Sequence, residues 1–243
     1  SYAGHVRVYE YSNNSWTQLG SDIDGEAVGD QSGWAVSLSS DGVILAVGAV
    51  GNDGNGSNSG HVRVYEYSNN SWTQLGSDID GESFSDESGW AVSLSSDGTI
   101  VAVGAVGNDG NGSNSGHVRV YELDSNSIWT QLGSDINGEA AGDYFGHSVS
   151  LSADGTIVAI GATLNDGSYL NSGHVRVYEL DSNLNWVQIG SDIDGEASND
   201  FSGRSVSLSD DGTIVAIGAI NNGGNGSYAG HVRVYEYSNN SWT

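Results

Sequence analysis

Four acidic loops recur along this chain, and their side chains are the residues best suited to chemistry with a metal ion. They are Asp22, Asp24, Glu26 and Asp30; Asp78, Asp80, Glu82 and Asp86; Asp135, Asn137, Glu139 and Asp143; and Asp192, Asp194, Glu196 and Asp200. Alternating oxygen donors with glycine between them can wrap a hard cation such as calcium, which takes about six to eight oxygen ligands. The spacing is not that of an EF-hand loop. The same residue types also build turns and cap their own backbone. Calcium is therefore the one cofactor these loops suggest, with a purely structural role as the competing reading.

Other candidate groups are weaker. The loop carrying Asn52-Asp53, Asn108-Asp109 and Asn165-Asp166 becomes Asn221-Asn222 in its last copy, which suits a turn better than a metal cage. His5, His61, His117, His174 and His231 each precede an arginine by two residues, and they are expected to pack or hydrogen-bond at a strand end. Arg63, with Glu66 and the acidic loops, is expected to form a recurring ion pair. Trp16, Trp72, Trp129, Trp186 and Trp242 mark one strand start in every copy and are expected to pack blades together. Trp34 and Trp90 occupy a position that becomes His147 and then Arg204, and are expected to be peripheral. The sequence has no Cys, no HExxH motif and no phosphate loop, so nothing in it specifies a catalytic residue.

Composition narrows the partners. Thirty-one Asp and Glu face six Arg and no Lys, for a net charge of -25. Such a surface repels nucleic acid and anionic membranes. No run of apolar residues is long enough to span a bilayer. Acidity, together with Asn-x-Ser sequons at Asn13, Asn55, Asn69, Asn111, Asn225 and Asn239, leans toward an extracellular or cell-surface location.

The stretch GHVRVYE positions all these groups. It occurs at residues 4–10, 60–66, 116–122, 173–179 and 230–236, at offsets of 56, 56, 57 and 57. Such periodicity indicates repeats that share one core. Each unit reads as four strands: residues 33–39, 43–50, 61–67 and 72–79 in the first full copy. Asp41-Gly42 predicts a type I′ hairpin turn between the first two. The fold class is all-β, a β-propeller type of tandem repeat with four-stranded antiparallel blades; a linear stack of small sheets is the alternative. The units are a partial repeat at 1–32, then 33–88, 89–145, 146–202 and 203–243. Residues 1–17 are identical to 227–243. The chain therefore reads as an excerpt of a longer repetitive or self-assembling chain. Its terminal strands are edges that invite pairing with further repeats or another molecule.

The run FGHSVSLSADGTIVAIGAT at residues 145–163, followed by GHVRVYEL, resembles the FG-GAP repeat of integrin-alpha-like β-propellers. Phe145-Gly146 is literal; Ser32-Gly33, Ser88-Gly89 and Ser202-Gly203 stand at the equivalent places. The resemblance implies a blade whose first strand lines the central axis, in extracellular, adhesive or structural proteins. That family's DxDxDG calcium loop has no counterpart in Ser40-Asp41-Gly42, so its calcium site is not carried over. The function expected is a non-catalytic extracellular structural or adhesive repeat protein. A carbohydrate-binding propeller with a glycan or cell-surface partner is the alternative, and a glycan-active enzyme is less favoured because near-identical units leave no distinctive constellation.

Overall fold

The computed structural model describes residues 2–243 and contains strands but no helix among them. A half-blade comes first: β1 (His5–Val6), β2 (Tyr9–Ser12), β3 (Ser15–Gln18) and β4 (Ile23–Asp24). Blade 1 follows with β5 (Ala35–Leu38), β6 (Ile44–Ala49), β7 (His61–Ser68), β8 (Ser71–Gln74) and β9 (Ile79–Asp80). Blade 2 has β10 (Ser88–Leu94), β11 (Ile100–Ala105), β12 (His117–Leu123), β13 (Trp129–Gln131) and β14 (Ile136–Asn137). Blade 3 has β15 (Phe145–Leu151), β16 (Ile157–Ala162), β17 (His174–Leu180), β18 (Trp186–Gln188) and β19 (Ile193–Asp194). Blade 4 has β20 (Ser202–Leu208), β21 (Ile214–Ala219), β22 (His231–Ser238) and β23 (Ser241–Trp242).

Within each full blade the strands run antiparallel in sequence order. The first strands of successive blades, β5, β10, β15 and β20, lie against one another and form the inner wall. The second strands that lie between two blades are covered on both faces, which is why they are apolar on both: β6 is buried throughout. Val101, Val103 and Trp129 of blade 2 pack on Ala46, Val62 and Val64 of blade 1. Burying one such side chain contributes about 1.5–3 kcal/mol, against roughly 0–1 for an exposed ion pair, so apolar packing holds the blades together.

Two local expectations are corrected. Asp41 does not take a positive φ; only Gly42 does, at 74°. The turn is closed instead by the Gly42 N–H donating to the Ser39 carbonyl at 2.9 Å. Asp41 accepts from the Ser39 hydroxyl and the Val43 N–H, at 2.7 and 3.1 Å. Paired positive φ values occur instead at Asn69 and Asn70, 51° and 64°, in the tight turn between β7 and β8. The expected strand 72–79 is split into β8 and β9, which both pair with β7. At the break, Gly76 has φ 79° and lies against the indole of Trp129, where a Cβ would collide. The strand breaks to seat the next blade's tryptophan.

Candidate functional site

The acidic loops resolve into a clamp between blades. Arg63 on β7 donates from Nε and Nη2 to Asp78 at 3.0 and 2.9 Å, and its Nη2 also reaches Glu26 of the preceding loop. Arg119 joins Asp135 and Glu82, and Arg176 joins Asp192 and Glu139, in the same way. The partner is thus not Glu66, which is exposed three residues further along β7 on the opposite face of the strand. Glu26, His61 and Asp78 offer atoms close enough for a metal, as do Glu82, His117 and Asp135, and Glu139, His174 and Asp192. The guanidinium already satisfies both carboxylates of each set.

The remaining loop residues go elsewhere. Asp30, Asp86, Asp143 and Asp200 are buried and accept from the backbone N–H of Ala27, Ser83, Ala140 and Ala197, at 2.8 to 3.1 Å. Asp143 also accepts from Asn165 at 3.0 Å, and Asp200 from Asn222 at 2.8 Å. Asp24, Asp80, Asn137 and Asp194 end the short outer strands, with their side chains exposed. Asp194 accepts from the Ser168 hydroxyl at 2.8 Å. The four donors of one loop therefore point to different partners, and this set does not fit a cation held within a single loop.

His61, His117 and His174 are buried behind the clamps, and burial holds each imidazole below its usual pKa. Burial also works to raise the Asp78 carboxyl, but hydrogen bonds from Arg63 and Gln74 outweigh it and hold it low. Both kinds of group bind protons more readily in the unfolded chain, so both contribute stability that is present at high pH and lost in acid. The melting temperature is expected to be flat above pH ~7 and to fall once pH drops below the ordinary histidine value of about 6.5. Carboxylate protonation lowers it further below about pH 4. Thermal melts from pH 8 to 4 check this; a melting temperature that rises between pH 6.5 and 5 would contradict it.

A different site lies on the inner wall, where the units stop being alike. The first strands of blades 2, 3 and 4 begin with a β-bulge, visible as a register shift between Ser88 and Ala91, between Phe145 and Ser148, and between Ser202 and Ser205. A bulge re-aims side chains, and here it turns the residue after the glycine along the inner wall. Trp34 and Trp90 meet with ring centroids 4.9 Å apart, and Trp90 meets His147 edge-on at 5.7 Å. Arg204 takes the same place in blade 4. Just before each Ser-Gly or Phe-Gly pair sits a non-glycine residue at positive φ: Gln31, Glu87, Tyr144 and Phe201. Such backbone costs about 1–3 kcal/mol and is found at functional sites. These two variable positions converge on a cavity of about 320 Å³ lined by Trp90, Tyr144, His147, Leu164, Phe201 and Arg204.

The electrostatics of this cavity are distinctive. Five of the six arginines pair with carboxylates; Arg204 has no such partner among the described residues. His147 Nδ1 is buried with no hydrogen-bond partner. Burial, and then the charge of Arg204, push the His147 pKa down to about 4, so the imidazole is neutral at pH 7. Trp34 and Trp90 are thus not peripheral: they belong to the ladder that leads into the cavity. The usable sequence signal was departure from the repeat, with Gln31 and Trp34, then Glu87 and Trp90, giving way to Tyr144 and His147 and to Phe201 and Arg204. The blade-packing expectation agrees with the structure for four of the other five tryptophans; Trp16, in the half-blade, is exposed. Trp72, Trp129, Trp186 and Trp242 each donate Nε1–H to a carbonyl of the preceding unit, at 2.8 to 3.0 Å.

Comparison with solved structures places the fold. A candidate 6-phosphogluconolactonase from Bacteroides uniformis is similar with a TM-score of 0.65 at 11% identity, over 97% of this chain and 62% of that one. The periplasmic gluconolactonase of Pseudomonas aeruginosa gives 0.62 at 16%, over 97% and 61%. Hydrazine synthase of Kuenenia stuttgartiensis gives 0.55 at 14%, over 91% and 51%. The chain thus spans between about half and two thirds of the length of these structures. No curated protein matches the sequence. At such identities the likeness shows the fold alone, a β-propeller architecture rather than a linear stack.

The likeness corrects the functional expectation. The expectation is a non-catalytic structural or adhesive segment, with a glycan-binding propeller as its alternative, and a glycan-active enzyme is less favoured because near-identical units leave no distinctive constellation. Lactonase-type proteins share this fold, and the units here differ at the inner wall. The profile of the FG-GAP repeat matches residues 22–65, 78–121 and 137–178, more than half of the sequence, and the chain belongs to the FG-GAP repeat family.

Proposed function

We propose that the inner-wall cavity binds a small sugar-derived carboxylate, the class to which the aldonic acids formed by opening gluconolactones belong. The observation that carries this reading is Arg204, the one arginine without a carboxylate partner among the described residues, set beside a neutral histidine in a chain of net charge -25. A free guanidinium recognises carboxylate through paired charge-assisted hydrogen bonds. Trp90, Tyr144 and Phe201 supply apolar walls on which the carbon chain of such a ligand packs, and the volume is in the range of small-molecule sites. The gluconolactonase names of similar structures support the ligand class. FG-GAP repeats typically occur in extracellular or surface proteins, and an exported setting is part of this proposal.

A second reading, hydrolysis of a lactone, is favoured by the juxtaposition of base and cation. His147 would take a proton from the attacking water, Arg204 would stabilise the tetrahedral oxyanion that forms, and His147 would return the proton to the ring oxygen as the C–O bond breaks. A pKa near 4 makes His147 a weak proton acceptor, since an efficient general base sits near the working pH. Binding is therefore the leading reading. Calorimetric titration with D-gluconate, run beside a hydrolysis assay on D-glucono-δ-lactone, tests both. Arg204→Ala is expected to weaken gluconate binding at least about tenfold, the loss of roughly 1.4 kcal/mol. Equal affinity in wild type and variant, or no binding, would remove the proposal. Turnover above the spontaneous rate that Arg204→Ala and His147→Gln both abolish would promote the second reading.

A further inference from the structure

Blades 3 and 4 present different chemistry to the cavity from the same two positions. The register that sets Phe145 opposite Ala162 brings Tyr144 next to Thr163, and the register that sets Ser202 opposite Ala219 brings Phe201 next to Ile220. All four side chains line the cavity. On the blade 4 side this pair is wholly apolar. On the blade 3 side each member carries a hydroxyl.

Thr163 is the sharper departure. Its counterparts in the other blades are Val50, Val106 and Ile220, so the position is apolar wherever packing alone decides it. Thr163 is as enclosed as the two valines, 5% exposed against 4% and 0%. Its hydroxyl nevertheless has no hydrogen-bond partner among the described residues. A valine of nearly the same shape would avoid the cost of desolvating that hydroxyl. Tyr144 stands in the same relation to Phe201. Both take a positive φ, 55° and 54°, and they differ by one hydroxyl, which also has no partner among the described residues. The His147 N–H donates to the Tyr144 carbonyl at 3.2 Å, so the bulge holds these two residues together. His147 Nδ1 is the third unpartnered polar group that blade 3 brings to the cavity.

We infer that Thr163 is a specificity-determining residue that selects a hydroxylated acid, whose carboxylate pairs with Arg204 and whose chain hydroxyls hydrogen-bond to blade 3. This rests on the anion reading above and adds which side of the ligand meets which blade. A threonine hydroxyl both donates and accepts, so it suits a ligand hydroxyl, which does the same. Tyr144 and His147 offer further partners along the chain. Phe201 and Ile220 cover the C–H side of the ligand. A site built to hydrogen-bond hydroxyls discriminates against an analogue that lacks them, because its own polar groups are then left unpaired.

Calorimetric titrations of the whole chain with D-gluconate and with hexanoate, an acid of the same carbon count without hydroxyls, test the inference. Thr163→Val installs the residue that two other blades carry at this place, so it is expected to fold with an unchanged or raised melting temperature. It is expected to weaken gluconate at least about fivefold and to bind hexanoate no more weakly than wild type does. Thr163→Ser, which keeps the hydroxyl, is expected to bind gluconate within about twofold of wild type. Equal gluconate affinity in wild type and Thr163→Val would overturn the inference; if Arg204→Ala still weakens binding, the anion reading survives that failure. Equal weakening of gluconate and hexanoate in Thr163→Val, or of gluconate in Thr163→Ser and Thr163→Val, would show that the residue only shapes the cavity and would overturn it as well. A wild type that binds no gluconate would remove both readings.

Discussion

Gly104→Val is expected to be among the most damaging single substitutions in this protein, lowering stability by at least about 3 kcal/mol. Overpacking a core typically costs about 1–3 kcal/mol when side chains can yield. Here a Cβ would press on the Gly146 carbonyl and Cα, backbone atoms of the next blade that cannot rotate away. The glycine is not needed for an unusual φ, since Gly104 is absent from the positive-φ positions. The effect is therefore a pure test of blade contact. For a chain of this size, about 3 kcal/mol corresponds to a fall of roughly 6–12 °C in melting temperature. Gly218→Val is the internal control: same strand position, no blade above it, and an expected change under about 1 kcal/mol. Equal losses at the two glycines, read by circular dichroism melts of monomeric protein, would mean that strand geometry rather than blade contact restricts the position.

The second large effect belongs to Trp129→Ala, at about 3–5 kcal/mol. The indole is 8% exposed, fills the gap between blades 1 and 2, and donates to the Leu75 carbonyl at 2.9 Å. Truncation removes the apolar contact and leaves that carbonyl without its donor, which adds about 1 kcal/mol. Trp16 has the same place in the sequence unit but is 67% exposed, so Trp16→Ala is expected to change stability by less than about 0.5 kcal/mol. A loss of similar size at both positions, measured by urea denaturation, would show that the tryptophan acts within its own hairpin instead of across blades.

Much of this fold was legible because the repeat exposes its own period. The two-sided apolar character of residues 43–50 implied a strand covered on both faces, and β6 is buried along its whole length. The break between β8 and β9 was not legible, because it answers to an indole 53 residues further on. The turn at Asp41-Gly42 was misread for a related reason: Ser39 and Asp41 side chains close it, so only one residue needs positive φ. The clamps were half legible. Asp22 and its copies were singled out as oxygen donors, yet their partner is an arginine about 15 residues away, joined by the pairing of β9 and its counterparts with the third strands. The inner-wall site was hidden by its variability. Trp34, Trp90, His147 and Arg204 share no chemistry and looked like drift in one dimension. Folding stacks them in a row, and variation aligned in one row of a repeated module is what a single site on a repeated scaffold looks like.

The central claim, that Arg204 and His147 form an anion site, is tested most directly at the imidazole itself. Two-dimensional nitrogen–proton NMR of the histidine rings, titrated against pH with and without D-gluconate, follows His147 apart from the clamp histidines. Without ligand, its pKa is expected near 4. A bound carboxylate favours the charged imidazole, so the value is expected to rise by at least about one unit. His61, His117 and His174 are expected to stay unchanged. A His147 pKa that does not move at saturating gluconate, or that moves equally in Arg204→Ala, would contradict the account.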